Sequence, residues 1–107
     1  MRSRSSKRAK ALAIQPKTKA IVFQRDEGRC VYFGSRNGMP NAHFIPRSLG
    51  GLGCEQNILT LCFRCHDRFD NGIREERDGM REFFREYLMT KYPDWDEEKC
   101  VYHKEGL

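Results

Sequence analysis

No run of apolar residues in this chain approaches the length of a membrane span, so no membrane partner is expected. The N-terminal MRSRSSKRAKALAIQPK has neither an apolar core nor a cleavage signature, so no signal peptide is expected and the location read from it is cytoplasmic. There are no internal repeats. Five cysteines is an odd number, and Cys62, Cys65 and His66 crowd together. That pattern argues against a disulfide framework and for thiolate chemistry in a reducing compartment. At 107 residues the chain suits one domain with a modest core, which a bound metal would help to hold.

Acidic residues are absent from the first 25 positions. That segment holds eight of the 20 Lys and Arg and none of the 15 Asp and Glu, so it carries +8 and the remainder −3. The basicity belongs to an N-terminal arm, with Lys7, Arg8 and Lys10 as candidate phosphate contacts. A basic arm gains affinity for polyanions by releasing counterions. A solvated tail that only aids solubility is the alternative.

One thiol is also missing. LCFRCH at 61–66 contains a complete Cys-x-x-Cys, Cys62 and Cys65, whereas RCVYFGS at 29–35 has Cys30 followed by Phe33 where a partner would stand. Two such pairs at this separation would be a strong zinc signal. CVYH at 100–103 echoes CVYF at 30–33 and could lend Cys100 or His103; Cys100 as a small buried apolar residue is the plainer reading.

Along the chain, residues 1–15 read as a flexible basic arm and 16–107 as a single domain, with a core at about 29–72 and a helical part at 73–107. Pro16 opens a short helix over Lys17 to Arg25, with Ala20, Ile21 and Phe23 as its apolar residues. Cys30–Phe33 reads as a strand, 34–41 as turn material, and His43–Ile45 as a second strand stopped by Pro46. ILTL at 58–61 fits a strand or a helical lead-in. A helix is expected from Phe63 to Phe69, capped by Asn71-Gly72, which puts His66 and Asp70 on one face. Residues 73–89 form a second helix, with Ile73, Met80, Phe83, Phe84, Tyr87 and Leu88 as its stripe. Arg81, Glu82, Arg85 and Glu86 make its solvated face. DWDEEK at 94–99 suggests a last turn with an acidic start.

His43, Asn57 and His66 bracket a Gly-rich loop. Singly, each has a plain structural explanation: a satisfied histidine, a turn asparagine, a zinc ligand. Their order is the specific signal. The run AHFIPRSLGGLGCEQNILTLCFRCHDRFD resembles the HNH endonuclease motif, particularly that of small nucleases of tailed bacteriophages and prophages. The resemblance covers about Arg29 to Gly72 and continues weakly to YPDWDEEK.

The resemblance implies an α+β fold of the ββα-metal type, also called the His-Me finger: a hairpin packed on a helix around one divalent cation. It implies hydrolysis of DNA phosphodiesters, by nicking or double-strand cleavage. His43 would be the general base, His66 a metal ligand, and Asn57 a residue that bonds the hairpin loop or approaches the metal. Many family members carry a ligand just before the base, where this chain has Ala42. Asp70 is the proposed substitute, with His43 or Asn57 filling out a site for Mg2+ or Mn2+; pairing of Asp70 with Arg68 or Arg74 is its alternative. Arg47, Arg64 and Arg68 are candidate DNA contacts. The family often carries zinc on two Cys-x-x-Cys pairs, and Cys30, Cys62 and Cys65 match three of those positions; Zn2+ is one candidate there, as a structural ion, or elsewhere as an inhibitor. Phe33 leaves two outcomes: a three-thiolate site completed by water or another residue, or a metal-free site that Phe33 fills by packing. The second is favoured because a buried Phe stabilises. Genome packaging beside a phage terminase, in the host bacterial cytoplasm, follows by resemblance. A non-catalytic zinc-ribbon-like DNA-binding module and an inactive terminase accessory are the rival readings.

Overall fold

The computed structural model describes residues 6–103. It is an α+β structure: α1 Lys7–Leu12, α2 Pro16–Arg25, β1 Met39–His43, β2 Ile58–Leu61, α3 Phe63–Asn71 and α4 Arg74–Lys91. Single 3-10 turns lie at Arg47–Leu49, Glu55–Asn57 and Glu97–Cys100. β1 and β2 pair antiparallel, with Ala42 opposite Leu59 and His43 opposite Ile58. A bulge between Met39 and Ala42 interrupts the register. Pro40, which has no N–H to donate, is tolerated in this two-stranded sheet.

The hairpin is not where the periodicity suggested. Cys30–Phe33 is a turn, and the first strand runs through residues read as loop. The cause is local: the Cys30 carbonyl accepts from the Gly34 N–H at 2.7 Å, and Gly34 takes a φ of 80°. The chain there curls around the Cys30 thiol instead of extending. β1 ends at His43, where Asn57 takes over the pairing: Phe44 N–H donates to the Asn57 carbonyl at 2.8 Å.

The flexible arm expected over 1–15 is partly a helix. Ser6 caps α1 by accepting from Ala9 N–H at 3.0 Å, and Leu12 is buried. The first five residues of that arm lie outside the described residues. In α2, Val22 is the buried residue, while Ile21 and Phe23 are exposed, so the apolar face read from the sequence is rotated. The anchor is polar. Arg25 donates to both Asp26 carboxylate oxygens (2.7 and 2.9 Å) and to the Glu55 and Ile58 carbonyls (both 2.8 Å). Buried Asp26 in turn accepts from Thr60 N–H and the Tyr87 hydroxyl. Such a fully bonded buried pair ties α2 to the hairpin and α4; loss of one partner would leave the other charge uncompensated.

β2 is buried along its whole length, which is why ILTL shows no alternation. Its core neighbours include Phe44, Phe69, Met80, Phe84 and Leu88, with Phe69 and Phe84 edge to face at 4.9 Å. Ile73 and Phe83, read as part of the α4 stripe, are exposed. No helix among the described residues is long and apolar enough to cross a membrane.

Candidate metal and phosphate sites

A cavity of about 780 Å³ opens between β1, α3, α4 and the segment after α1, and a second, smaller one lies beside Phe33 and Cys62. His43, Arg47, His66 and Asp70 line the larger one, together with Lys19, Asn41, Arg77 and Arg81. The two histidines of the sequence motif thus reach one cavity, together with Arg47 and Asp70. Among the described residues four permanent cations line it with a single carboxylate, a balance suited to a polyanion.

His43 is half-buried at the end of β1, and its Nε2 lies 2.9 Å from the Leu12 carbonyl. A carbonyl only accepts, so Nε2 carries the proton and Nδ1 keeps its lone pair. Burial pushes the imidazole below its ordinary pKa of 6.5; the Leu12 bond opposes this, and the charges of Arg47 and His66 add to it. The ring is therefore neutral at pH 7 and able to accept a proton.

His66 and Asp70, one turn apart on α3, meet at 3.3 Å between Nε2 and Oδ2. Asp70 pairs with neither Arg68 nor Arg74; Arg68 pairs with Glu76 at 3.0 Å. His43, His66 and Asp70 do not bring one ligand atom each within 4.8 Å of one another, and the Nε2 of His43 is taken by the Leu12 carbonyl.

Asn57 is fully buried and does not line the cavity. Its Oδ1 accepts from Ile45 N–H at 2.9 Å, and its Nδ2 donates to the Leu52 carbonyl at 2.8 Å and the Ile45 carbonyl at 3.2 Å. Both amide hydrogens are used on backbone. Of the two roles considered, these bonds are those of the residue that holds the loop. Arg64 borders the second cavity and Arg68 neither one, so of the three arginines only Arg47 reaches the main site.

Arg81 is the residue that sequence reasoning misplaced. It donates to the Phe44 carbonyl at 2.8 Å and lies over the rings of Phe69 (4.9 Å) and Phe44 (5.3 Å), turned toward the cavity and not toward bulk solvent. Arg85 and Glu82, at 2.9 Å, do form the expected surface pair. A signal existed: Arg77, Arg81 and Arg85 repeat every four residues, and like charges at that spacing weaken a helix unless something else uses them. Lys19 and Asn41 carried no such mark.

The second site is the thiol cluster. The sulfurs of Cys30, Cys62 and Cys65 all lie within 4.8 Å of one another and are buried. Among the described residues no other three His, Cys, Asp or Glu side chains bring ligand atoms so close. Tetrahedral zinc, with bonds of about 2.3 Å, needs sulfurs about 3.8 Å apart, a spacing that the 4.8 Å bound on this cluster admits. Both halves make the same turn: Phe33 N–H donates to Cys30 Sγ at 3.4 Å and Cys65 N–H to Cys62 Sγ at 3.5 Å. Burial raises the Cys62 pKa, but the Cys65 N–H and neighbouring thiols outweigh it and the net direction is down. Burial and the same neighbours push Cys65 well up. Beside those thiols Cys65 resists ionisation, and a divalent cation would relieve that. The three thiols could hold a metal such as zinc.

Phe33 does not fill the fourth side. It is 55% exposed and tilts against Tyr32 at 6.0 Å. Its backbone makes the turn while its ring faces outward, which removes the reason for favouring a site sealed by apolar packing. Cys100 packs elsewhere, with Sγ 3.5 Å from the Gln56 carbonyl, and exposed His103 lies by the Glu98 carbonyl; neither completes the cluster.

No protein-family model matches this chain, and no curated protein matches it.

Proposed function

We propose that this protein is a divalent-metal-dependent endonuclease that hydrolyses DNA phosphodiester bonds, on a ββα-metal core made of β1, β2 and α3 in the manner of HNH nucleases. One observation carries the reading. A neutral histidine with its Nδ1 lone pair free borders a strongly basic cavity that also contains a His–Asp pair on one helix face. The resemblance assigns His43 as the base and His66 as a ligand; Asp70 is the substitute proposed for the ligand missing at Ala42.

His43 accepts the proton of the attacking water at Nδ1, with Nε2–H anchored on Leu12. Asn57 holds the backbone of Ile45 and Leu52, and with it the loop that carries Arg47. Arg47, Arg81, Arg77 and Lys19 attract and orient the scissile phosphate. His66 and Asp70 fit a hard or borderline cation as one nitrogen and one carboxylate donor on adjacent turns. Mg2+ or Mn2+ bound there would supply positive charge to the pentacovalent phosphate and the departing alkoxide. Packaging of a phage genome, with terminase as partner and the host cytoplasm as location, rests on the resemblance alone.

The rival is a DNA-binding module or terminase accessory without activity. Buried Ala42, which can ligate nothing, favours it. Plasmid nicking with Mg2+ or Mn2+ separates the two. Metal-dependent nicking that His43→Ala abolishes is the expected result. DNA binding equal in both proteins, with nicking in neither, would sink the enzyme.

A further inference from the structure

We propose that the backbone carbonyl of Leu12 is a positioning group for His43, so that docking of the N-terminal helix sets which nitrogen of the base is free. This rests on the nuclease reading for its catalytic consequence, though not for its structural content. The bond is the 2.9 Å contact between His43 Nε2 and the Leu12 carbonyl, from residues 31 apart in sequence. Nothing else among the described residues bonds that ring. Neutral imidazole carries its proton on either nitrogen, and the partner of one decides the role of the other. A carbonyl forces N–H at Nε2 and leaves Nδ1 as the acceptor. Remove it, and the tautomers mix and the ring can turn.

The arm is held at Leu12 by two further devices. The Leu12 side chain is buried, and Gly53 N–H donates to the Ala11 carbonyl at 2.9 Å. Gly53 belongs to the loop that Asn57 organises. A Cβ there would stand 2.0 Å from the Ala13 oxygen and 2.9 Å from the Leu12 oxygen, both backbone atoms that cannot swing aside. Glycine at 53 is therefore a condition for the arm to lie where it does. Outside the turn, Lys7, Arg8 and Lys10 are exposed on the same short helix. Phosphate contacts made by those residues would hold the segment that holds the base.

The test uses the full chain labelled with 15N-histidine. Wild type shows His43 as a single tautomer protonated at Nε2. Gly53→Ala displaces the arm and gives averaged imidazole shifts, with kcat for plasmid nicking reduced roughly tenfold and KM little changed. Leu12→Ala, which removes the buried anchor without adding a clash, gives the same change to a smaller extent and serves if Gly53→Ala fails to fold. An unmixed Nε2–H tautomer in the folded variants overturns the proposal. Mixed tautomers in a protein that nicks no DNA would refute the nuclease reading while upholding the positioning role of Leu12.

Discussion

Replacing Asn57 by Ala tests how much of the site is built and how much is chemistry. The substitution removes three hydrogen bonds inside the protein: one from Ile45 N–H and one each to the Leu52 and Ile45 carbonyls. All are made by a fully buried side chain. Each bond contributes about 1 kcal/mol net, and a buried group left without a partner costs about 1–3 kcal/mol. The Ile45 N–H loses its partner outright. The two carbonyls, with two lone pairs each, tolerate the loss better. The expected cost is about 3–5 kcal/mol, a large share of the roughly 5–15 kcal/mol that holds a small domain. Urea unfolding followed by circular dichroism measures it. Asn57→Asp sharpens the test. Its carboxylate still accepts from Ile45 N–H but faces two carbonyls with nothing to donate, so its pKa rises on folding. A group whose folded pKa is raised is stabilising below its unfolded pKa, and that stability is lost as pH rises through the folded value. Asn57→Asp should therefore be more stable at pH 4 than at pH 7 relative to wild type. A loss under about 1 kcal/mol for Asn57→Ala, together with complete loss of nicking, would refute this reasoning and make Asn57 a participant in the reaction.

Thr60 Oγ1 is the one buried side-chain polar atom among the described residues without a partner, so Thr60→Val should raise the unfolding free energy by about 1 kcal/mol in the same urea assay. Metal analysis should find one zinc per chain, lost in Cys62→Ser; Phe33→Cys, which adds a fourth thiol at the knuckle position, should slow zinc release to a chelator. With the His43 pKa lowered by burial, its neutral form persists below pH 6.5, and the acid limb of kcat/KM should lie below that value. The same shift makes the His43 contribution to stability present above pH 6.5 and lost as pH falls through the folded pKa; His43→Gln should flatten that part of the profile.

Placement within one helix was legible because the chain itself reports that spacing. His66 and Asp70 read as one helix face, and they meet. The long helix and its buried Met80, Phe84 and Leu88 followed from period alone. What failed was placement that depends on distant backbone. RCVYFGS has strand-like residues but curls around a thiol, because hydrogen bonds to sulfur and Gly34 outweigh β-propensity. The face that α2 buries is chosen by Arg25 and Asp26, whose partners come from three other segments. Leu12 carries no chemical side chain at all; its role lies in a carbonyl every residue possesses.

The charge of the cavity bears on how a cation would bind there. Ala42 lies in the core opposite Leu59, while Asn41 and His43 on either side of it line the cavity. The strand thus contributes an amide and an imidazole to the cavity, and no carboxylate. Asp70 is left as the single anion among Lys19, Arg47, Arg77 and Arg81. Such a cavity repels a free divalent cation and attracts phosphate. Magnesium sites with few carboxylates commonly complete themselves with substrate phosphate oxygens and water. The nuclease reading therefore requires that cation and DNA bind with positive cooperativity. Mn2+ titration followed by water-proton relaxation should show weak binding to the free protein, and binding at least tenfold tighter with a short duplex bound by His43→Ala, a coupling of about 1.4 kcal/mol. Asp70→Asn should remove the cation and leave duplex affinity unchanged or raised, because it deletes the only negative charge that the described residues bring to a basic cavity. Equal Mn2+ affinity with and without DNA would mean that the cavity holds phosphate alone, and the chain would then be a DNA-binding module.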